Sequence, residues 1–152
     1  MPQQKKRALQ NRSRPHQHPV IQMLALDTHV LVRLVTDDDP AQAQRMQEAL
    51  DVELAAGREC LVGHIVLCEL IWVLGCLYDH SQAQCQQTMT ILLGFVGLRF
   101  ESMPTVVAAF KVWQREGGDW ADHLIGAQMK ALGCEAVLTL DHSVPVVKRR
   151  IA

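Results

Sequence analysis

From Met23 onward, short apolar runs alternate with stretches that carry apolar residues at helical spacing, the pattern of an α/β fold built on a mainly parallel sheet. Met23 to Leu26 predicts a first strand. A short helix follows from Thr28 to about Val35, and Asp37, Asp38, Asp39 and Pro40 make a turn, where aspartates serve as caps. Ala41 to Ala56 reads as an amphipathic helix closed by Gly57, then Cys60 to Val62 as a strand and His64 to Tyr78 as a helix. Ser81 opens another helix reaching about Phe95, and Leu98 to Phe100 makes a third strand. Pro104 starts a helix that ends before Gly117 and Gly118. Asp119 caps a helix to Leu132, Gly133 ends it, and Ala136 to Leu140 is the last clear strand. About four strands and six helices result, in one globular unit, as expected for 152 residues of which 49% are hydrophobic.

Against this pattern a few carboxylates stand out. From Ile65 to Leu77 every residue is apolar except Glu69 and Gly75, so the helix is expected to be buried on nearly all sides. A buried carboxylate costs several kcal/mol unless a cation or strong donors meet it; a salt bridge to one Arg is the structural alternative. At thirteen residues the run is too short for a bilayer, which takes about twenty. Asp27 and Asp141 each follow an apolar strand, at the carboxyl ends where open parallel sheets place their ligands. Taken singly, each also suits a plain helix N-cap. Asp119 and Asp122 lie three apart on one helix face, and Gly126, four further on, leaves open space above the second. Ala121, Leu124, Ile125 and Leu132 are expected to form that helix's core-facing stripe.

Two strand-end aspartates and helix-borne acids can meet around one cavity in such a fold. Carboxylates 4 Å apart repel by about 4 kcal/mol at an effective dielectric of 20, so the cluster calls for bound cations. All-oxygen ligands select hard Mg²⁺ or Mn²⁺.

Charge and composition narrow the classes. All sixteen acids lie between Asp27 and Asp141 with only seven Lys or Arg, a formal net charge of −9 for that stretch, and the basic residues that balance it sit at the two ends. A body this acidic needs cations or basic patches to approach nucleic acid. Residues 1–22 have no apolar export segment and read as a disordered basic extension, with Met23 a candidate natural start; 143–152 read as a short basic tail. Five cysteines without paired spacing point to reduced thiols and a cytoplasmic protein. His64 and Cys68 are four apart, but no second pair at ligand spacing supports structural zinc. Trp72, Trp113 and Trp120 sit in apolar helical contexts and are read as core or dimer surface.

Four segments in order, Leu26-Asp-Thr-His-Val-Leu-Val-Arg33, Leu67-Cys-Glu-Leu-Ile-Trp-Val-Leu74, Asp119-Trp-Ala-Asp-His-Leu-Ile125 and Gly133-Cys-Glu-Ala-Val-Leu-Thr-Leu-Asp141, resemble the PIN domain, most closely its bacterial VapC-type toxins. The similarity covers roughly Met23 to His142. It implies a three-layer fold and a Mg²⁺-dependent endoribonuclease, directed at single strands of transfer or ribosomal RNA. Asp27, Glu69, Asp122 and Asp141 would be the catalytic and metal-binding quartet, Asp119 an additional metal-binding acid and Thr28 a supporting hydroxyl. It also implies a small cognate antitoxin and a homodimer. The implied chemistry is phosphodiester hydrolysis by metal-activated water.

Three departures stand out: His29 where Asn is common, His142 where a basic residue is frequent, and a chain end so near Asp141 that the final edge strand is expected to be missing or replaced. They leave room for a catalytically weakened PIN-like protein acting through antitoxin or RNA binding. An aspartyl phosphatase is a more remote alternative, since its signature needs an Asp at position 29.

Overall fold

A computed structural model describes residues 22–140 and the backbone of a short strand at 148–150. Strand β1 (Met23–Ala25) leads into α1 (Thr28–Val35) and α2 (Pro40–Ala55); β2 (Glu59–Val62) leads into α3 (His64–Leu77) and α4 (Gln82–Leu93). Then β3 (Leu98–Phe100) leads into α5 (Met103–Glu116) and α6 (Trp120–Ala131), before β4 (Val137–Thr139) and β5 (Lys148–Arg150). β1, β2 and β3 form one parallel sheet in that order, with Leu24 opposite Cys60 and Cys60 opposite Leu98. Because the strands are parallel, their carboxyl ends share one edge, where Asp27, Gly63 and Glu101 follow.

The α/β class, the parallel sheet and the six helices are as the hydrophobic pattern predicts. The strand arrangement differs. β4 and β5 make a second, two-stranded parallel sheet, with Leu138 opposite Arg149. Of the two outcomes expected for the last edge strand, missing or replaced, the first is corrected: a strand at Lys148–Arg150 pairs with β4. Lys148-Arg-Arg150 escaped notice because no apolar alternation marks it, whereas strand pairing needs only backbone N–H and C=O groups.

The core draws Leu31 from α1, Val62 from β2, Leu70 from α3, Met89 from α4, Val106 from α5 and Leu124 from α6. α3 lies at its centre but is not buried on all sides, contrary to expectation. Leu67, Leu70 and Leu74, spaced three and four apart, are fully buried, while Ile65 is 82% and Trp72 60% exposed. Glu69 and Cys76 lie on that same outer stripe and are exposed. Glu69 thus keeps its contact with water, and the cost of burying a charge gives no argument for it. α6 is corrected too. Its core face is Trp120, His123 and Leu124, while Ile125 is 42% and Leu132 71% exposed. Trp113 and Trp120 are core residues. His64 Nε2 lies 2.7 Å from the Glu101 carbonyl oxygen, so that nitrogen meets the backbone, and all five cysteines are free. No helix among the described residues is long and apolar enough to cross a membrane.

The aspartates of the α1–α2 turn do the cap and turn work expected of them. Asp39 Oδ1 accepts from the Gln42 N–H at 3.0 Å and starts α2. Asp38 accepts from Arg33 at 2.7 Å, Thr36 at 2.7 Å and Tyr78 at 2.8 Å, tying the end of α1 to the end of α3. Arg33, with help from the two hydroxyls, holds the Asp38 carboxyl well below the usual carboxylate range.

Candidate functional site

Asp27 ends the β1 segment and caps α1: its Oδ1 accepts from the Thr28 N–H at 2.8 Å. Thr28 itself is buried, and its hydroxyl donates to Glu69 Oε2 at 2.6 Å, 41 residues away on α3. One residue therefore touches both carboxylates. Asp27 Oδ2 and Glu69 Oε1 accept no hydrogen bond among the described residues, and both side chains are exposed. Charge-assisted hydrogen bonds of this length are the stronger kind, and they fix where the carboxylate points.

α3 is held in register at its start by an acid the sequence reading passed over. Gly63, its N-cap, has no side chain to offer, and Glu101 Oε2 from the end of β3 accepts the His64 N–H at 2.7 Å instead. Glu101 follows an apolar strand just as Asp27 does, so the signal was in the sequence. Its carboxylate is spent on the helix.

The second acidic pair begins α6. Asp119 Oδ1 accepts the Asp122 N–H at 3.0 Å, and Asp122, partly buried, lies in the first turn where a negative charge suits the helix dipole. Both roles that the sequence allowed for Asp119, cap and site acid, thus remain compatible. A Cβ added at Gly126 would meet no atom within 4 Å, so the space anticipated on that face exists. The turn before α6 is pinned from two sides. The Trp113 indole N–H donates to the Gly118 carbonyl at 2.9 Å and His123 Nε2 lies 2.7 Å from the Gly117 carbonyl. Gly117 and Gly118 have φ of +69° and +83°, which only glycine adopts without strain.

The helices that carry the two pairs, α1 and α6, both pack on α3. Glu69 faces α1, while its neighbour Cys68 shares a cleft of about 310 Å³ with Asp119 and Trp120. Burial pushes the Cys68 thiol pKa up, and the Asp119 charge adds to it. Among the described residues no three His, Cys, Asp or Glu side chains come close enough to hold a metal ion together. The described part of the predicted set thus shows one pair joined through Thr28, Asp27 and Glu69, and one pair at the start of α6, Asp119 and Asp122. Asp141, the remaining predicted ligand, lies outside the described residues.

The donor set still fits a hard divalent cation in chemistry: carboxylate oxygens, two of them uncommitted, at Asp27 and Glu69.

Compared with known families, residues 24–149 match the model described as PIN domain. No curated protein matches the chain.

Proposed function

The chain belongs to the PIN domain family, whose members are in general nucleases that bind divalent metals, and from that premise we propose that it is a Mg²⁺-dependent endoribonuclease, the toxin of a toxin-antitoxin pair. The observation that carries the metal-site part is Thr28, whose backbone N–H meets Asp27 and whose hydroxyl meets Glu69. Two carboxylates far apart in sequence are thereby oriented at the end of one strand. In this proposal Asp27, Glu69, Asp119, Asp122 and Asp141 hold Mg²⁺, for which Mn²⁺ is a substitute. When bound, the cation supplies an activated water and neutralises charge developing at the scissile phosphate.

The chain's own residues do the rest. Asp27 and Glu69 present their uncommitted oxygens, and Thr28 fixes the Glu69 rotamer. Asp119 and Asp122 add their charge at the start of α6, where the helix terminus also tolerates a phosphate. A cognate antitoxin and a second copy of the chain are the partners proposed. The exposed apolar stripe of α3, with Ile65 and Trp72, is the kind of surface such partners cover.

Purified protein incubated with structured RNA and Mg²⁺ is expected to cut it, EDTA to stop the cutting, and Mg²⁺ or Mn²⁺ to restore it. A second reading is a PIN-like protein that acts by binding antitoxin or RNA; among the described residues no three His, Cys, Asp or Glu side chains group as a metal site. RNA retained on the protein but uncut with every divalent metal tried would decide for it.

Thr28→Val keeps the buried shape and removes the hydroxyl. We expect cleavage to fall about tenfold, with a stability loss of about 1 kcal/mol because water replaces the donor at exposed Glu69. Thr28→Ser should recover most of the rate. Equal rates for the valine variant and the wild type would show that Glu69 needs no orientation by Thr28.

A further inference from the structure

On the side of Glu69 that faces α1 and α2 lies a groove of about 510 Å³, within the range of roughly 300–1,000 Å³ typical of ligand pockets. Thr28 and Glu69 form part of its wall, so it opens onto Glu69 and the hydroxyl that orients it. Two arginines also line it, and they differ. Arg33 is committed to Asp38 at 2.7 Å, whereas Arg45, exposed on α2, makes no ion pair or hydrogen bond among the described residues. Much of the remaining wall is apolar, with Met46 from α2 and Val73 and Leu77 from α3.

An unpaired guanidinium is notable where sixteen acids face seven cations. Arginine is suited to phosphate through its planar fork of donors, and its charge is not lost at any working pH. The apolar part of the wall suits the face of an unstacked base, and His29, Gln42 and Tyr78, which also line the groove, supply polar atoms around it. A duplex keeps those faces inside its stack; a single strand can splay them out.

Building on the nuclease proposal, we infer that this groove seats a single-stranded stretch of the substrate. Arg45 takes a backbone phosphate, and Met46, Val73 and Leu77 cover the face of a base, so that a neighbouring phosphodiester reaches Asp27 and Glu69. Arg45 is then a positioning residue. It makes no contact with the reacting atoms.

The test is fluorescence anisotropy of a labelled single-stranded RNA, alone or annealed to its complement, titrated with the full chain carrying Asp122→Asn so that the strand stays uncut. Arg45→Ala in that background should weaken single-strand binding about tenfold, as for one lost charge-assisted bond. It should also lower the slope of log Kd against log salt by about 0.7, the signature of one phosphate contact. Arg45→Lys should keep the slope, Lys111→Ala, a charge removed outside the groove, should change neither quantity, and the duplex should be indifferent to Arg45. Equal affinity and slope for the Arg45→Ala protein and its parent would overturn the groove assignment while wild-type cleavage keeps the nuclease proposal standing. The same equality, with binding of a protein partner lost in Met46→Asp, would give the groove to that partner. No binding of either RNA by the parent, with no metal-dependent cleavage by the wild type, would sink both proposals.

Discussion

Glu69→Gln is expected to slow RNA cleavage at least about a hundredfold while leaving the fold as it is. Glutamine keeps the size of the side chain, and its Oε1 still accepts the Thr28 hydroxyl, so the contact at 2.6 Å has a substitute. The charge goes, and with it one of the ligands of the proposed metal site. Metal-borne charge stabilisation is worth several kcal/mol, and about 3 kcal/mol already corresponds to roughly a hundredfold in rate. Stability should hardly change, because Glu69 is exposed and surface substitutions usually stay within about 0.5 kcal/mol. Single-turnover cleavage beside a thermal melt separates the effects. A rate near wild type would remove Glu69 from the site.

Trp113→Ala should be the most damaging single change to stability. The indole is 2% exposed, packs at a ring-centroid distance of 6.2 Å from Phe110 and 5.4 Å from Trp120, and donates to the Gly118 carbonyl. Truncating a buried tryptophan costs about 3–5 kcal/mol, a large share of the 5–15 kcal/mol, roughly, that holds such a domain together. The melting temperature should fall by about 10 °C. A second effect follows from position: the Gly117-Gly118 turn sets where Asp119 and Asp122 begin α6, so cleavage should fall even well below the melt. Trp113→Phe probes that link more gently, since it keeps an aromatic ring; it loses the N–H, about 1 kcal/mol, and the pyrrole half of the indole, whose cavity adds about 1–2 kcal/mol. If the phenylalanine variant cuts RNA as fast as the wild type, the indole bond plays no part in placing the α6 acids.

Most elements were legible because their signals are local. Asp39 and Ser81 lie at helix starts where a side-chain oxygen meets free N–H groups, and Ser81 with Gln84 forms a full capping box. What the sequence obscured depends on neighbours. α3 is apolar nearly throughout, so nothing in it marked which side faces out; its core side follows only from what packs there. β5 is Lys-Arg-Arg, and its strand conformation comes from backbone pairing with β4 rather than from its side chains.

The site divides in the same way. Strand-end position pointed to Asp27, and an apolar helix together with the resemblance pointed to Glu69, but the hydroxyl that joins them is visible only in three dimensions. The same strand-end position holds Glu101, whose carboxylate instead starts α3, so position alone does not distinguish a site acid from a cap. Arg45 carried no signal at all. α2 is polar around much of its surface, and its groove side differs from its solvent side only through the proximity of α1 and α3. The buried-charge argument for Glu69 failed because an apolar sequence is not the same as a buried helix.

Whether these carboxylates form a metal site for cutting RNA is decided by cleavage with the wild type beside Asp122→Asn, each over a Mg²⁺ titration that starts from EDTA-treated protein. Cleavage should rise with Mg²⁺ for the wild type and stay almost absent for the asparagine variant at any concentration. Equal cleavage by the two proteins would contradict the metal site.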